Sequence, residues 1–403
     1  MLNYPPSGGF VGSKDATRND LRELRKFVAP EVVFGVGSRQ LAGQYARNLG
    51  AEHVLLVTDP GVIAAGWAGE VEASLEHAGV SHSVFSGVSP NPRAAEMMAG
   101  AEQYRLRACD VIVAVGGGSV IDCAKGIGIV SSNRQHILEL EGVDQVANPM
   151  PPVICVPTTG GTSADVSQFV IVTDLAQRTK IAIISKSVVP DVSLVDPETL
   201  TTMDPFLTAC TGMDAFVHAV EAFVSNAHSP LTDVHALQAI RLIFPNLAGC
   251  VRNPADVELR TQVMLGSLEA GLAFSNASLG AVHAMAHSLG GYLDLPHGEC
   301  NAMLLRHVAA FNFEAASERY EQIGQAMGLD LRGMRSSGKR AAILAAIDAL
   351  RAEVHVERTL ASRGVKTNDV LPLAQHALHD VCLVTNPRLP NRRDLEVIYE
   401  EAL

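Results

Sequence analysis

The sequence predicts an α/β N-terminal domain, built on a doubly wound parallel sheet, followed by an all-α C-terminal domain. Two observations support this fold class. In the first half of the chain, short runs rich in Val and Ile alternate with helical segments, whereas in the second half long helical segments follow one another without a convincing strand. Parallel strands covered by helices on both faces have this apolar, non-alternating composition. We therefore expect an α/β domain at residues 1–199 and a helical domain at residues 200–403.

The first half contains five segments predicted as strands, with helices between them. Val and Ile favour extended strands. Two of the helices end at Gly50 and Gly79, because glycine readily adopts the left-handed conformation found at helix C-termini. The predicted strands are EVVFGVG, HVLLVTD, SHSVFSGV, DVIVAVGGG and PPVICVPTT. The predicted helices are SRQLAGQYARNLG, AGEVEASLEHAG and RAAEMMAGAEQYRLR.

The second half begins with three long segments of helical periodicity. These are LTACTGMDAFVHAVEAFVS, PLTDVHALQAIRLIFPNLAGCV and VELRTQVMLGSLEAGLAF. Residues 271–293, which follow, carry no formal charge if histidine is neutral, and they are long enough to be considered as a membrane span. Their two histidines, three serines, asparagine and glycines instead favour a buried core helix with a functional face.

Composition and charge disfavour several partners. The formal net charge is −12 and the basic residues form no long run, which disfavours binding to nucleic acid or to a membrane. The seven cysteines are scattered without a C-x-x-C pair, as expected for a cytoplasmic protein in a reducing compartment. The first 20 residues lack an apolar core of signal-peptide length and are predicted to be a loose leader.

A glycine-rich loop joins a predicted strand to a helix in the first half. Gly117 and Gly118 follow the strand VIVAV, and Ser119 adds a hydroxyl at the start of the helix. Free N–H groups at a helix N-terminus suit a pyrophosphate. A tight turn that binds no ligand explains the glycines equally well, and the G-x-G-x-x-G fingerprint is absent.

Two further features favour a dinucleotide in this half. Asp59 ends a predicted strand, where a carboxylate can accept hydrogen bonds from a ribose and repel a 2′-phosphate, so NAD is preferred over NADP. A helix N-cap before Pro60 is the alternative role for Asp59. The second feature is a polar loop after another apolar strand, which contains Thr158, Thr159 and Thr162. Loops at the carboxyl ends of parallel strands form ligand sites.

Histidines in the apolar second half predict a divalent metal site. Asp214 and His218 are four residues apart on one predicted helix, and His283 and His287 are four apart on another. His297 follows in a turn bounded by Pro and Gly. One carboxylate and imidazole nitrogens suit catalytic iron(II) or zinc. Spacing alone does not decide which three of the histidines bind.

Several motifs make the chain similar to a known family. They are VTDPGV, SPNP, GGGSVIDCAKGIGI, PTTGGT, TGMDAFVHAVEAF, GAVHAMAHSLGG, PHGECNA and the C-terminal NPR. Over nearly its whole length the chain resembles the iron-containing, group III alcohol dehydrogenases. Many members carry Gly-Ser-Glu where this chain has Ser163, Ala164 and Asp165.

The resemblance implies roles for individual residues. The family's metal ligands fall on Asp214, His218, His283 and His297. His287 falls on a non-ligand histidine beside the nicotinamide and the substrate, and it is a candidate catalytic proton relay. The cofactor-binding positions fall on Asp59, Asn91, Gly117, Gly118, Ser119, Thr158, Thr159, Thr162 and Lys180. Phe274 falls on an aromatic residue in the wall of the substrate pocket.

The resemblance also implies an activity and an assembly. The expected fold resembles that of dehydroquinate synthase. The expected reaction is NAD-dependent interconversion of a short-chain primary alcohol and its aldehyde, by hydride transfer from a metal-bound alkoxide. The expected metal is Fe²⁺, with Zn²⁺ as the alternative, and the expected assembly is a homodimer or larger homo-oligomer. A lyase similar to dehydroquinate synthase and a regulatory protein that retains the dehydrogenase site are the competing hypotheses.

Overall fold

The computed structural model describes residues 26–403, so the predicted leader lies outside the described residues. Its large sheet contains six parallel strands in the spatial order β1-β9-β6-β4-β2-β3. They are β1 (Glu31–Phe34), β2 (His53–Val57), β3 (Ser81–Phe85), β4 (Val111–Gly116), β6 (Val153–Pro157) and β9 (Val192–Val195). The predicted α/β class with a parallel sheet is confirmed.

Helices cover both faces of the large sheet, which is why its central strands are apolar throughout. Alternate residues of β2 belong to two separate cores: Leu55 lies in one, while Val54 and Leu56 lie in the other. The helices of this half are α1 (Ala42–Asn48), α2 (Pro60–Ala64), α3 (Trp67–His77), α4 (Ala94–Leu106) and α5 (Gly118–Asn133). The arrangement is the doubly wound one that the sequence predicts.

A second, three-stranded sheet was missed by the sequence analysis. It consists of β5 (Gly142–Val143), β7 (Phe169–Asp174) and β8 (Thr179–Ile184), in the order β5-β8-β7. Strands β7 and β8 form an antiparallel hairpin. The hairpin turn at residues 175–178 reads Leu-Ala-Gln-Arg and contains no Asn-Gly or Asp-Gly pair, so the usual sequence signal of a hairpin is missing.

The second half of the described chain is helical, as predicted. Strand β9 ends at Val195 and the first long helix begins at Pro205, on either side of the predicted domain boundary at residue 199, which stays a prediction. The helices are α6 (Pro205–Val224), α7 (Pro230–Arg252), α8 (Val257–Ala277), α9 (Ala281–Leu293), α10 (His297–Asn312), α11 (Ser317–Ala326), α12 (Ser336–Glu353), α13 (Val370–Ala377) and α14 (Arg392–Ala402).

Among residues 26–403, two helices are long and apolar enough to cross a membrane by length and composition alone. They are α6 and α7, and 89% of the apolar window of α6 is buried inside the protein, as in a core helix. Residues 271–293 do not form one span. They are divided between α8 and α9, and the chain turns at Ser278, whose φ is 61°. The prediction of a single core helix there is therefore wrong, although the residues of α9 up to Gly290 are buried.

A pair of glycines tests how tightly α1 packs on α3. A Cβ on Gly43 would lie 2.1 Å from the backbone oxygen of Ser74, whereas a Cβ on the exposed Gly69 would meet nothing within 4 Å. We predict that Gly43→Ala lowers the free energy of unfolding by about 2 kcal/mol. Gly69→Ala, the matched control, is expected to raise it by up to about 1 kcal/mol, because alanine favours the helix. Urea unfolding curves measure both, and equal stabilities would contradict the packing argument.

Candidate active site

The two predicted ligand loops meet at the carboxyl edge of the large sheet. Gly116 at the end of β4 lies opposite Pro157 at the end of β6, in neighbouring parallel strands. The loops that follow these strands line a cleft of about 720 Å³ between the two halves of the protein. This is the edge at which doubly wound sheets bind their ligands.

Eight of the nine predicted cofactor residues line this cleft. They are Asp59, Asn91, Gly117, Gly118, Ser119, Thr158, Thr159 and Thr162. The ninth, Lys180, lines a smaller adjoining cavity, where its Nζ donates to Asn91 Oδ1 at 2.7 Å. The structure thus brings the set together around one space, while the role of each residue in binding NAD stays a prediction.

The glycines of the loop after β4, the first cofactor loop, allow it to contact the loop after β6, the second cofactor loop. A Cβ on Gly118 would lie 2.5 Å from Thr162 Oγ1, and a Cβ on Gly117 would lie 2.9 Å from Thr159 Cγ2. Gly117 is also the N-cap of α5, and no side chain caps the first N–H groups of that helix. These N–H groups therefore suit the pyrophosphate of a dinucleotide.

Asp59 has the capping role that the sequence analysis left open. Its Oδ1 accepts a hydrogen bond of 2.9 Å from the backbone N–H of Val62, at the start of α2. The residue also lines the cleft. A carboxylate has two oxygens, so capping a helix and accepting a ribose hydroxyl are compatible.

The loop residue that departs from the family pattern has an unusual backbone. Ser163 has a φ of 50°, a left-handed conformation that favours glycine, which many relatives are expected to carry there. Its Oγ donates to the backbone oxygen of Ser267 at 2.7 Å. A Cβ on Gly271 would lie 2.4 Å from the Cβ of Ser163, so a glycine on α8 makes room for this serine. The loop is anchored to the helical half.

The predicted metal ligands converge on one oxygen atom. Asp214 and His218 lie on α6 and His283 lies on α9. Their fourth partner, His297, is the first residue of α10, so its predicted place in a turn is corrected: the helix begins directly after Pro296. The Nε2 atoms of His218, His283 and His297 lie 3.9, 3.6 and 3.6 Å from Asp214 Oδ1.

These separations are slightly longer than those between donor atoms that share one cation. They are too long for hydrogen bonds. Ligand atoms each about 2.1 Å from one ion lie roughly 3.0–3.5 Å from each other. Asn301 lies beside the cluster, where its Nδ2 donates to Asp214 Oδ1 at 2.6 Å, while its Oδ1 has no hydrogen-bond partner within residues 26–403. The buried oxygen and nitrogen donors therefore suit a divalent metal ion.

The electrostatics of the cluster favour a bound cation. Burial alone would raise the pKa of Asp214, but the three imidazoles hold it well below its ordinary value. Burial lowers the pKa of His218 to about 3 and that of His297 well below its ordinary value, so both rings are neutral and able to bind a metal. Burial opposes a charge on His283 too, but the carboxylates of Asp214 and Glu221 favour the charged ring and raise its pKa to about 9, so a metal ion bound at Nε2 would replace a proton there.

Hydrogen bonds at Nδ1 orient three of the rings. His218 Nδ1 lies 3.2 Å from the backbone oxygen of Gly161, in the second cofactor loop. His283 Nδ1 lies 2.6 Å from Glu221 Oε2, and His287 Nδ1 lies 2.8 Å from Asp380 Oδ2. Each partner is an acceptor, so each ring donates from Nδ1, and Nε2 is the nitrogen that can bind a metal.

Sequence reasoning missed three residues of this site. Glu221 lies three residues after His218, and it is a second buried carboxylate, besides Asp214, in an apolar helix, which is a signal that could have been used. Asn301 lies four residues after His297 on the same helix face. Asp380 contacts His287 from 93 residues away, and no local pattern marks it.

A small apolar cavity adjoins the metal ligands. It has a volume of about 100 Å³, and its walls include Phe169, Ile171, Phe274 and Leu279. The ring of Phe274 stacks on His218 with centroids 4.2 Å apart. The predicted pocket residue Phe274 is therefore part of the apolar wall and also contacts a predicted metal ligand. Its contact with the substrate stays a prediction.

Hydrogen bonds join the two halves across the mouth of the cleft. Asn91 Nδ2 donates to Asp294 Oδ1 at 2.8 Å, and Arg93 pairs with Asp294 Oδ2 at 3.2 Å. Asp294 follows α9 in a left-handed conformation, with a φ of 53°. Residues of the α/β half are thus tied to the loop that precedes His297.

The fold and the site define a two-lobed protein that can hold a dinucleotide beside a divalent metal ion. Residues 29–197 match the family described as iron-containing alcohol dehydrogenase, and residues 208–403 match the C-terminal part of the same family. The chain belongs to the iron-containing alcohol dehydrogenase family.

Named relatives match nearly the whole chain. The 1,3-propanediol dehydrogenase of Klebsiella pneumoniae is 38% identical over 379 residues, which is 93% of this chain and 98% of that protein. The NAD-dependent methanol dehydrogenase of Bacillus methanolicus is 34% identical over 377 residues, which is 94% of this chain and 99% of that protein. A crystal structure of a 1,3-propanediol oxidoreductase superposes with a TM-score of 0.92 at 38% identity, covering 94% of this chain and all of that one.

Asp59 offers a test that separates helix capping from ribose recognition. Serine caps a helix well but carries no charge. We predict that Asp59→Ser keeps the stability of the protein and lowers the ratio of kcat/KM for NAD to that for NADP by about tenfold or more, because a charged hydrogen bond is lost. Asp59→Ala should lower the ratio similarly and also cost about 1 kcal/mol of stability. Steady-state kinetics with both cofactors, together with thermal melting, measure these effects. An unchanged ratio in Asp59→Ser would exclude the ribose role.

Proposed function

We propose that this protein is an NAD-dependent, metal-dependent alcohol dehydrogenase that interconverts a short-chain primary alcohol and its aldehyde. One observation carries the proposal: Asp214 and His297 line both the large cleft and the small apolar cavity. A dinucleotide in the cleft and a small alcohol in the cavity would therefore meet at the predicted metal ligands. The small volume of that cavity, about 100 Å³, favours a short carbon chain.

The donor set and the relatives support Fe²⁺ as the metal, with Zn²⁺ as the alternative. One carboxylate and three neutral imidazoles are suitable ligands for either ion. The family is described as iron-containing, and the methanol dehydrogenase relative is described as NAD-dependent. When bound, the ion supplies a Lewis acid to the alcohol oxygen, and NAD supplies the hydride acceptor.

The protein's own side chains would orient the reactants and move a proton. Phe274 and Leu279 form an apolar wall that excludes water from the cavity. His287 lines the same cavity, and its Nδ1 proton is held by Asp380. Its Nε2 is therefore available to accept a proton released by the alcohol. Lys180 lines the same cavity. Burial lowers its pKa, and its Nζ donates a hydrogen bond to Asn91.

The competing hypotheses receive less support. A lyase acting on a phosphate- and carboxylate-bearing substrate needs a cluster of Arg and Lys in its pocket. Lys180 is the single lysine among the described residues that line the two cavities, and none of those residues is an arginine. A regulatory protein would need no catalytic cavity, and no observation in the described residues favours it.

We also propose that the protein is cytoplasmic and forms a homodimer or larger homo-oligomer. All seven cysteines are buried free thiols, which supports a reducing compartment. The assembly is inferred from the family resemblance. The proposed domain boundary at residue 199 separates the cofactor loops from the helices that carry the predicted metal ligands.

The central experiment combines metal analysis with an alcohol panel. Protein purified without air is expected to contain about one Fe²⁺ or Zn²⁺ per chain and to oxidise short primary alcohols with NAD. His297→Ala should lose the metal and at least about 10³-fold in activity, because a ligand and the bound Lewis acid are lost. Its NAD affinity, measured by fluorescence titration, should stay within about twofold. Full activity in metal-free protein would overturn the proposal.

The proton-relay role of His287 has its own test. We predict that His287→Gln lowers kcat by about 10²-fold and alters the dependence of kcat on pH, because the proton acceptor beside the cavity is removed. His235→Gln is the matched control, since His235 also pairs with a carboxylate, Glu269, outside the site. If both kcat and its pH dependence were unchanged in His287→Gln, the relay role would be excluded.

A further inference from the structure

A second carboxylate lies on the same helix face as the predicted metal ligands of α6. Asp214, His218 and Glu221 occupy positions i, i+4 and i+7, which face one direction. The relative exposure of Glu221 is 3%. Neither the metal ligands nor the cofactor residues predicted from the sequence include it. A buried carboxylate is costly unless its oxygens are hydrogen-bonded, so its partners indicate its role.

Both oxygens of Glu221 contact the start of α9. Oε1 accepts the backbone N–H of Val282 at 2.7 Å, and Oε2 accepts from His283 Nδ1 at 2.6 Å. The N-terminus of a helix carries unsatisfied N–H groups and favours a negative charge. A Cβ on Gly280 would lie 2.9 Å from Glu221 Oε1, so a glycine at that position allows this close approach.

The contact with His283 determines which ring nitrogen faces the metal cluster. With Nδ1 bonded to Glu221, Nε2 faces the cluster of predicted ligands, 3.6 Å from Asp214 Oδ1 and 3.2 Å from Asn301 Nδ2. A carboxylate at the second nitrogen also makes an imidazole a stronger electron donor to a metal. The negative charges of Asp214 and Glu221 together match the charge of a divalent ion in a buried site.

We propose that Glu221 is a positioning residue that raises the affinity of the site for a divalent cation through His283. This inference rests on the proposed function, because it assumes that the predicted ligands bind a metal ion. The competing explanation is that Glu221 only caps α9. Capping would affect the stability of the metal-free protein and leave metal affinity unchanged, so the two explanations give different results.

Glutamine at this position separates charge from shape. In Glu221→Gln the single amide oxygen can accept from Val282 or from His283, but not from both, and the negative charge is lost. We expect the affinity for Zn²⁺ and Co²⁺ to fall about 10- to 100-fold in chelator competition at fixed pH. The ligand-field absorption of bound Co²⁺ should change, while NAD affinity should not. Glu221→Asp, which keeps the charge, should recover part of the affinity.

The chain offers a matched control for loss of a histidine–carboxylate pair. His235 Nδ1 lies 2.5 Å from Glu269 Oε2, between α7 and α8. Glu269→Gln removes a carboxylate of the same kind and is expected to keep metal affinity within about twofold of the unsubstituted protein. A loss of affinity in Glu221→Gln but not in Glu269→Gln would assign the effect to the metal cluster.

The outcomes distinguish this inference from the proposed function. If the unsubstituted protein binds neither Zn²⁺ nor Co²⁺, the proposed function fails and this inference fails with it. If the unsubstituted protein binds both ions and Glu221→Gln binds them equally well, only the positioning role is overturned. Should Glu221→Gln not fold, Glu221→Asp takes its place: unchanged affinity and an unchanged Co²⁺ spectrum in that variant would overturn the inference, because its shorter side chain cannot keep both contacts.

Discussion

A buried carboxylate surrounded by three imidazole nitrogens is the arrangement on which the site depends. Asp214 is nearly inaccessible to solvent, and its nearest ring nitrogens are too distant to hydrogen-bond with it. A cation bound among these groups would compensate the free-energy cost of burying the carboxylate. The convergence requires α6 and α10 to pack closely: a Cβ on Gly298 would lie 2.0 Å from the backbone oxygen of Cys210, so only glycine fits there.

The site lies at the contact between the two halves of the protein, and its parts are coupled through backbone atoms. The Gly161 carbonyl, in the second cofactor loop, holds Nδ1 of the predicted ligand His218. Ser163 of the same loop is bonded to α8, and Asp294 ties the start of α10 to Asn91. A change in the position of the loop at Gly161, or of the loop at Asp294, would therefore alter the orientation of a predicted ligand ring as well as the cleft.

The apolar residues beside the predicted metal ligands suit the substrate of an alcohol dehydrogenase, as expected for a member of this family. Phe169, Ile171, Phe274 and Leu279 form an apolar part of the wall of the small cavity, which suits a substrate with few polar groups. Two of the polar side chains that line the cavity are held by hydrogen bonds: His287 is bonded to Asp380, and Lys180 donates to Asn91. These two side chains therefore have a defined orientation before any substrate enters.

The sequence by itself determined the features that depend on local periodicity. Apolar runs between helices determined the parallel sheet, and i, i+4 spacing placed Asp214 with His218 and His283 with His287. The tertiary structure alone decided which side chains hold those rings. Glu221 meets His283 across 62 residues and Asp380 meets His287 across 93, and the β7–β8 hairpin lacks a turn signal. Such contacts depend on how separate helices and strands pack together. Packing is the sum of many weak contacts between residues that are far apart in the sequence, and no short segment encodes it.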